Sequence, residues 1–77
     1  MAIYQLDIRG EICPYPLIAT KEKVAELQPG DRLEVWIDYP LALDNITRWA
    51  ENAGHRVVTV ERTGNPEWRL VIEVGPT

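Results

Sequence analysis

Cys13 is the only thiol of this chain, and it lies within Cys13-Pro14-Tyr15-Pro16, after an apolar strand-like stretch and before a helix-like one. An isolated cysteine in a small protein is most often an inert core filler. This position argues for chemistry instead. Pro14 suits the first position of a helix, where its missing N–H costs nothing. Cys13 would then be the N-cap, with its sulfur at the positive end of the helix dipole. Such a site lowers a thiol pKa from about 8.5 to roughly 3.5–7.5, and the thiolate is the nucleophile. Pro16 also lacks an N–H, so the Tyr15 N–H is the backbone donor left to hold the sulfur. The prolines fix φ and present the thiol at a defined angle.

Other residues could support that thiol. Lys21 falls, on a helical wheel, in the arc of Leu17, Ile18, Val24 and Ala25 that is expected to face a sheet. It stands about two turns beyond Cys13, and helical side chains lean toward the N-terminus. Attraction of an anion and simple snorkelling from the apolar edge are both open readings for it. Arg9, at the end of the first strand, is a comparable anion-attracting candidate. Asp38 ends the second strand on the same rim, where forming a turn or cap fits it better than acid–base work. His55 follows Gly54 and reads as a helix C-terminal group favoured by the dipole. No His, Asn or Asp is placed as an obvious base for a cysteine-protease triad. No second cysteine exists to resolve a loaded Cys13. Any group that Cys13 acquires must therefore leave to another molecule, which is the behaviour of a carrier.

The elements that must position this thiol are set by periodicity. Tyr4, Leu6 and Ile8 share one face of a strand spanning Ile3 to Ile8. A helix runs to about Leu27 and is stopped by Gln28-Pro29-Gly30-Asp31. Leu33, Val35 and Ile37 point inward from a second strand. Asp38-Tyr39-Pro40 opens a second helix with the stripe Ala42, Ile46, Trp49, Ala50 and Ala53, and Gly54 suits its C′ position. Arg56 to Glu61 reads as a third strand, Thr63-Gly64-Asn65-Pro66 as a turn, and Trp68, Leu70, Ile72 and Val74 as the inward face of a fourth. The order β-α-β-α-β-β predicts an α/β two-layer sandwich, a four-stranded mixed sheet with two helices on one face. Strands 1 and 2 should be parallel, and strands 3 and 4 antiparallel. The other sheet face is then uncovered and carries Glu34, Trp36, Arg69, Val71 and Glu73. Trp36 there is either a partner-surface marker or a tolerated surface aromatic.

Bulk properties narrow the function. The 77 residues make a single domain, 1–77, with one modest core. With 8 basic and 12 acidic residues the net charge is −4, which argues against nucleic acid as a partner. One histidine and scattered acids give no metal-ligand spacing, so no metal or cofactor is expected. Residues 1–8 carry no basic n-region, and no apolar run approaches the roughly 20 residues of a membrane span. With one cysteine, these features point to a reducing cytoplasm.

These residues resemble the TusA-like (SirA-like) sulfur-carrier family. The matching stretch runs from Leu6-Asp7 through Gly10 and Cys13-Pro14-Tyr15-Pro16 to Lys21. It continues with Leu27-Gln28-Pro29-Gly30-Asp31, Asp38-Tyr39-Pro40 and Ile46, and ends at Gly54-His55. The resemblance implies the same β-α-β-α-β-β sandwich and a persulfide-forming role for Cys13 in relaying sulfane sulfur between proteins. Leu17-Ile18 after the motif, Trp49-Ala50, Gly54-His55 and Trp68 look most like the YeeD branch, whose members resemble partners of an inner-membrane thiosulfate transporter. The resemblance thus implies a sulfurtransferase fed by thiosulfate or a persulfidated donor protein and emptied by an acceptor sulfur-relay protein. It would work in the cytoplasm, at the inner face of the membrane if a transporter partner holds it there. The alternative is a non-catalytic module that docks on the cytoplasmic face of such a transporter.

Overall fold

The computed structural model of the protein describes residues 2–12 and 14–75. Its elements are β1 (Ile3–Asp7), α1 (Tyr15–Ala25), β2 (Arg32–Ile37), α2 (Pro40–Asn52), β3 (Arg56–Gly64) and β4 (Glu67–Glu73). The sheet order is β1-β2-β4-β3. β1 runs parallel to β2, while β4 runs antiparallel to both β2 and β3. This is the expected mixed sheet.

Alternation along the two central strands sets the core. Leu33, Val35 and Ile37 of β2 and Leu70 and Ile72 of β4 have no exposed surface. Each such side chain contributes about 1.5–3 kcal/mol through its removal from water. Ala42, Ile46 and Ala50 of α2 close over them, as the helical stripe predicts. At the end of α2, Gly54 takes φ +90°, a left-handed conformation that a Cβ resists. The Gly54 N–H then bonds the Glu51 carbonyl and the His55 N–H bonds the Ala50 carbonyl, at 3.3 and 2.9 Å. This pair is the Schellman pattern that satisfies two otherwise orphaned helix carbonyls.

α1 meets the core differently from expectation. Its buried residues are Pro16, Ala19, Thr20 and Val24, while Ile18, Lys21 and Ala25 are exposed. The sheet-facing arc assigned from the helical wheel is thus rotated. The reason is chemical: the fully buried Thr20 hydroxyl donates to the Pro16 carbonyl at 2.8 Å, so a polar residue sits in the core with its hydrogen bond made. β3 also extends past Glu61, because Arg62 pairs with Trp68 and Gly64 with Glu67 across a register shift. The turn is thereby confined to Asn65-Pro66, whose peptide bond is cis.

Candidate functional site

Because β1 and β2 are parallel, their C-terminal ends and both helix N-termini lie on one rim. The loop from β1 to α1 is folded there by backbone bonds. The Ile8 N–H donates to the Trp36 carbonyl at 3.0 Å, and the Glu11 N–H turns back to the Ile8 carbonyl at 3.3 Å. Between them Gly10 adopts φ +88°. Its N–H donates to both carboxylate oxygens of Asp38, at 2.9 and 3.0 Å. Asp38 therefore anchors the loop that leads to Cys13, a tie across 28 positions of sequence.

Cys13 itself lies outside the described residues. The residues after it correct the capping scheme. Pro14 is the N-cap, with φ −96° and ψ 4°, and the helix starts at Tyr15. The first intrahelical bond runs from the Ile18 N–H to the Pro14 carbonyl, at 3.1 Å. The Tyr15 N–H, expected to be free for the sulfur, donates to the Ile12 carbonyl at 3.1 Å. A turn closed by Ile12 uses up that donor. Pro16 falls at the second helical position, where an N–H has no intrahelical partner. Pro16 is also buried, so it packs the core as well as starting the helix.

Arg9 stands on this rim, held by acids. Its Nε and Nη2 donate to Asp7 at 2.9 and 2.7 Å, and its Nη1 reaches Glu67 at 3.4 Å. These bonds hold the Asp7 carboxyl down to about 2 and raise the guanidinium further above its usual range. The charge of Arg9 is thus largely answered within the protein. Lys21 is exposed and lines a groove of about 200 Å³ whose other walls include Val24, Leu27, Trp49 and His55. That groove opens between the C-terminal halves of the helices, away from the rim.

His55 does not act as the cation expected at a helix end. It is 8% exposed, and burial pushes its pKa down. Its Nδ1 accepts from the Gly75 N–H at 3.0 Å, so the ring is neutral with its proton on Nε2. Trp49 lies against it, ring centroids 5.4 Å apart. Trp36 is half-buried on the uncovered sheet face, paired in register with Asp7 and Arg69.

The rim also carries exposed apolar side chains, of which periodicity and motif did not single out Ile12 and Leu41. Ile12, Tyr15 and Leu41 are 66%, 50% and 61% exposed, and Ile18 is exposed beside them on α1. Leu41 lies outside the α2 stripe of Ala42, Ile46 and Ala50, and that off-face position was a usable signal. Among the described residues, no group of His, Cys, Asp and Glu is placed to hold a metal ion, and no helix is long and apolar enough to cross a membrane.

The structure thus defines a small two-layer α/β domain whose β1–α1 loop, tethered by Asp38, leads into a helix N-terminus at one rim. Comparison with known proteins specifies its class. A family model described as "Sulfurtransferase TusA" matches residues 4–74. A Thermotoga maritima protein named "Putative sulfur carrier protein" is 44% identical over 96% of this chain and 99% of its own length. The Escherichia coli protein named "Putative sulfur carrier protein TsuB" is 33% identical over 95% of this chain and 97% of its own. The crystal structure of a SirA-like protein from Desulfitobacterium hafniense superposes with a TM-score of 0.83 at 26% identity, covering 95% of this chain and 99% of that one. The chain belongs to the TusA family of sulfurtransferases.

Proposed function

We propose that the protein is a sulfur carrier that loads Cys13 from thiosulfate and hands the sulfur to a partner protein. The Cys13 thiolate attacks the outer sulfur of thiosulfate. A new S–S bond forms, the bond to the sulfonate sulfur breaks, and its electron pair leaves with sulfite. The product is a Cys13 persulfide anion, and charge balances, one thiolate and one dianion giving one persulfide and one dianion. An acceptor thiolate then attacks the terminal sulfur and regenerates the Cys13 thiolate. With one cysteine in the chain, no internal thiol competes for that sulfur.

The observation that carries this reading is the family match across residues 4–74, which aligns a sulfurtransferase domain with nearly the whole chain. The rim supports it. The loop before Cys13 is fixed by Asp38, and α1 starts just beyond it. A helix N-terminus favours both the thiolate and an approaching dianion. Exposed Ile12, Tyr15, Ile18 and Leu41 offer an apolar surround that suits a docked protein surface. Operation in the cytoplasm, coupled to a thiosulfate transporter of the inner membrane, is part of the same proposal. A second reading, a module that docks on the transporter without carrying sulfur, draws on the uncovered sheet face around Trp36.

Intact-protein mass spectrometry after incubation with thiosulfate tests the first reading, with Cys13→Ser as control. A gain of one sulfur atom on the wild type alone is expected. An equal gain on Cys13→Ser would refute the role of Cys13. If the wild type stays unloaded although its thiol alkylates normally, thiosulfate is not the donor. Thiosulfate uptake by cells carrying Cys13→Ala separates the readings: the carrier loses it, and a docking module keeps it.

A further inference from the structure

Six arginines occur in the chain, and five meet an acceptor. Arg9 is held by Asp7, Arg48 by Asp44, Arg62 by the Gly64 carbonyl, and Arg69 by Glu34, while the exposed Arg56 makes a looser ion pair with Glu73 at 4.0 Å. Arg32 is the exception. Its Nε is shut off from solvent and has no hydrogen-bond partner. Among the described residues, no carboxylate or carbonyl meets the rest of its guanidinium. A buried donor left unmet costs the full desolvation of that group, and more when the group is charged. Native proteins rarely carry such an atom without a reason.

A ligand cannot reach the closed Nε, but the two terminal nitrogens of Arg32 are open to solvent and also unpartnered, and their surroundings show what they could take. Arg32 opens β2 and is paired in register with Ile3 on one side and Glu73 on the other. It lines a depression of about 170 Å³ on the uncovered sheet face. Ile3, Val58 and Val71 give this depression apolar walls, Thr59 adds a hydroxyl, and the Glu34–Arg69 pair forms its remaining side. Glu34 is already committed: Arg69 and then Gln5 donate to it, which holds its carboxyl below the usual range. Its charge is therefore unavailable to Arg32. The local acids Glu34, Glu61 and Glu73 balance Arg32, Arg56 and Arg69 in number, so no strong net field exists here. Recognition at this place must come from short-range hydrogen bonds, and the planar guanidinium fork is matched to a carboxylate.

We propose that this depression is a carboxylate-binding site, with the Arg32 guanidinium taking the acid group, the Thr59 hydroxyl donating beside it, and the apolar walls holding a short branched tail. The volume limits the occupant to a small aliphatic acid or to an acidic side chain flanked by β-branched neighbours. The site is separate from the rim, and the sulfur-transfer reading does not depend on it.

The test is a titration of the intact chain followed by nitrogen–proton NMR, reading the Arg32 side-chain Nε–H and the Thr59 and Val71 amides. Isobutyrate is the probe, and isobutyramide is its uncharged isostere. Saturable shifts with isobutyrate are expected, with isobutyramide at least tenfold weaker. Arg32→Gln and Arg32→Lys should each weaken isobutyrate at least tenfold, the lysine because it keeps the charge and loses the fork. Arg62→Gln, in the β3–β4 hairpin, should bind as the wild type does. If an Arg32 variant disturbs the amide dispersion, Thr59→Val gives a second reading, with severalfold weaker acid binding on an intact sheet. Shifts that never saturate, equal affinity for the amide, or undiminished binding by folded Arg32 variants would overturn the proposal. The capped peptide acetyl-Val-Glu-Val-amide identifies the source. Arg32-dependent binding tighter than isobutyrate assigns the site to a partner protein's acidic side chain, and weaker binding assigns it to a free acid. Thiosulfate loading of Arg32→Gln should match the wild type, so a failure here is distinguishable from a failure of the carrier reading.

Discussion

Replacing Asp38 by Ala tests whether the loop before Cys13 is ordered by one side chain. Asp38 supplies the only acceptor found for the Gly10 N–H among the described residues. Both carboxylate oxygens share that one donor, so the contact counts as a single charge-assisted bond. Bonds to charged groups are worth about 1.5–3 kcal/mol net. Gly10 is exposed and Asp38 half-buried, so solvent competes and the lower end applies. About 1.5 kcal/mol is close to tenfold in the opening equilibrium. Amide hydrogen exchange at Gly10 should therefore accelerate about tenfold in Asp38→Ala, while the amide of Leu70, deep in β4, changes far less. Asp38→Asn keeps a neutral oxygen acceptor and should show a smaller acceleration, about threefold. Thiosulfate loading should slow by no more than the tenfold that disorder of the loop can cost. Unchanged Gly10 exchange in Asp38→Ala would refute the reasoning, because the loop would then be held by its own turns. Equal acceleration at Gly10 and Leu70 would show that the tie belongs to global stability.

His55 makes stability depend on pH. Its folded pKa is depressed by burial, so the unfolded chain binds the proton first, and stability is full above about 6.5 and declines as pH falls below it. One proton limits the slope to about 1.4 kcal/mol per pH unit; His55→Asn, whose side-chain oxygen can accept from Gly75 as Nδ1 does, should flatten urea-unfolding stability between pH 7 and 5, and an unchanged slope would assign the effect to other groups. Lys21 lies about 9 Å along α1 from Tyr15, near the Debye length of physiological salt. Lys21→Ala should therefore slow thiosulfate loading by less than about twofold, and a drop of tenfold or more would return it to the role of anion guide.

β2 and α2 are legible because each obeys a simple period. Leu33, Val35 and Ile37 alternate, and Ala42, Ile46 and Ala50 repeat at helical spacing, so burial could be read one side chain at a time. The helical wheel misplaces the buried face of α1, because burial there rests on polarity satisfied locally. Thr20 looks like a surface residue until its hydroxyl is seen to bond the Pro16 carbonyl. The capping scheme missed by one position because Tyr15 closes a turn on Ile12, and two prolines in three residues allow either register of the first turn. The turn composition of Thr63-Gly64-Asn65-Pro66 points to an end of β3 at Glu61, yet its first two residues lie in the strand. Ties that span long stretches of sequence were invisible in it. The Gly75 N–H that fixes the His55 tautomer is 20 positions away, and the Asp38 that holds Gly10 is 28.

β2 connects the two functional regions and also separates them. Its last residue, Ile37, precedes Asp38 at the rim, and its first, Arg32, opens the depression on the uncovered face. Six residues of strand span about 17 Å. The rim also belongs to the helix N-termini, whereas the depression lies on the side of the sheet that neither helix covers. A protein docked over Ile12, Tyr15 and Leu41 and a carboxylate at Arg32 therefore occupy surfaces that do not overlap. The strand between them pairs with a neighbour on each side, and its inward residues have no exposed surface. A strand held in this way offers no second arrangement for a ligand at one end to select, and coupling between sites requires such an alternative state. The fold is thus suited to two contacts made independently, one that moves a sulfur atom and one that recognises an acid.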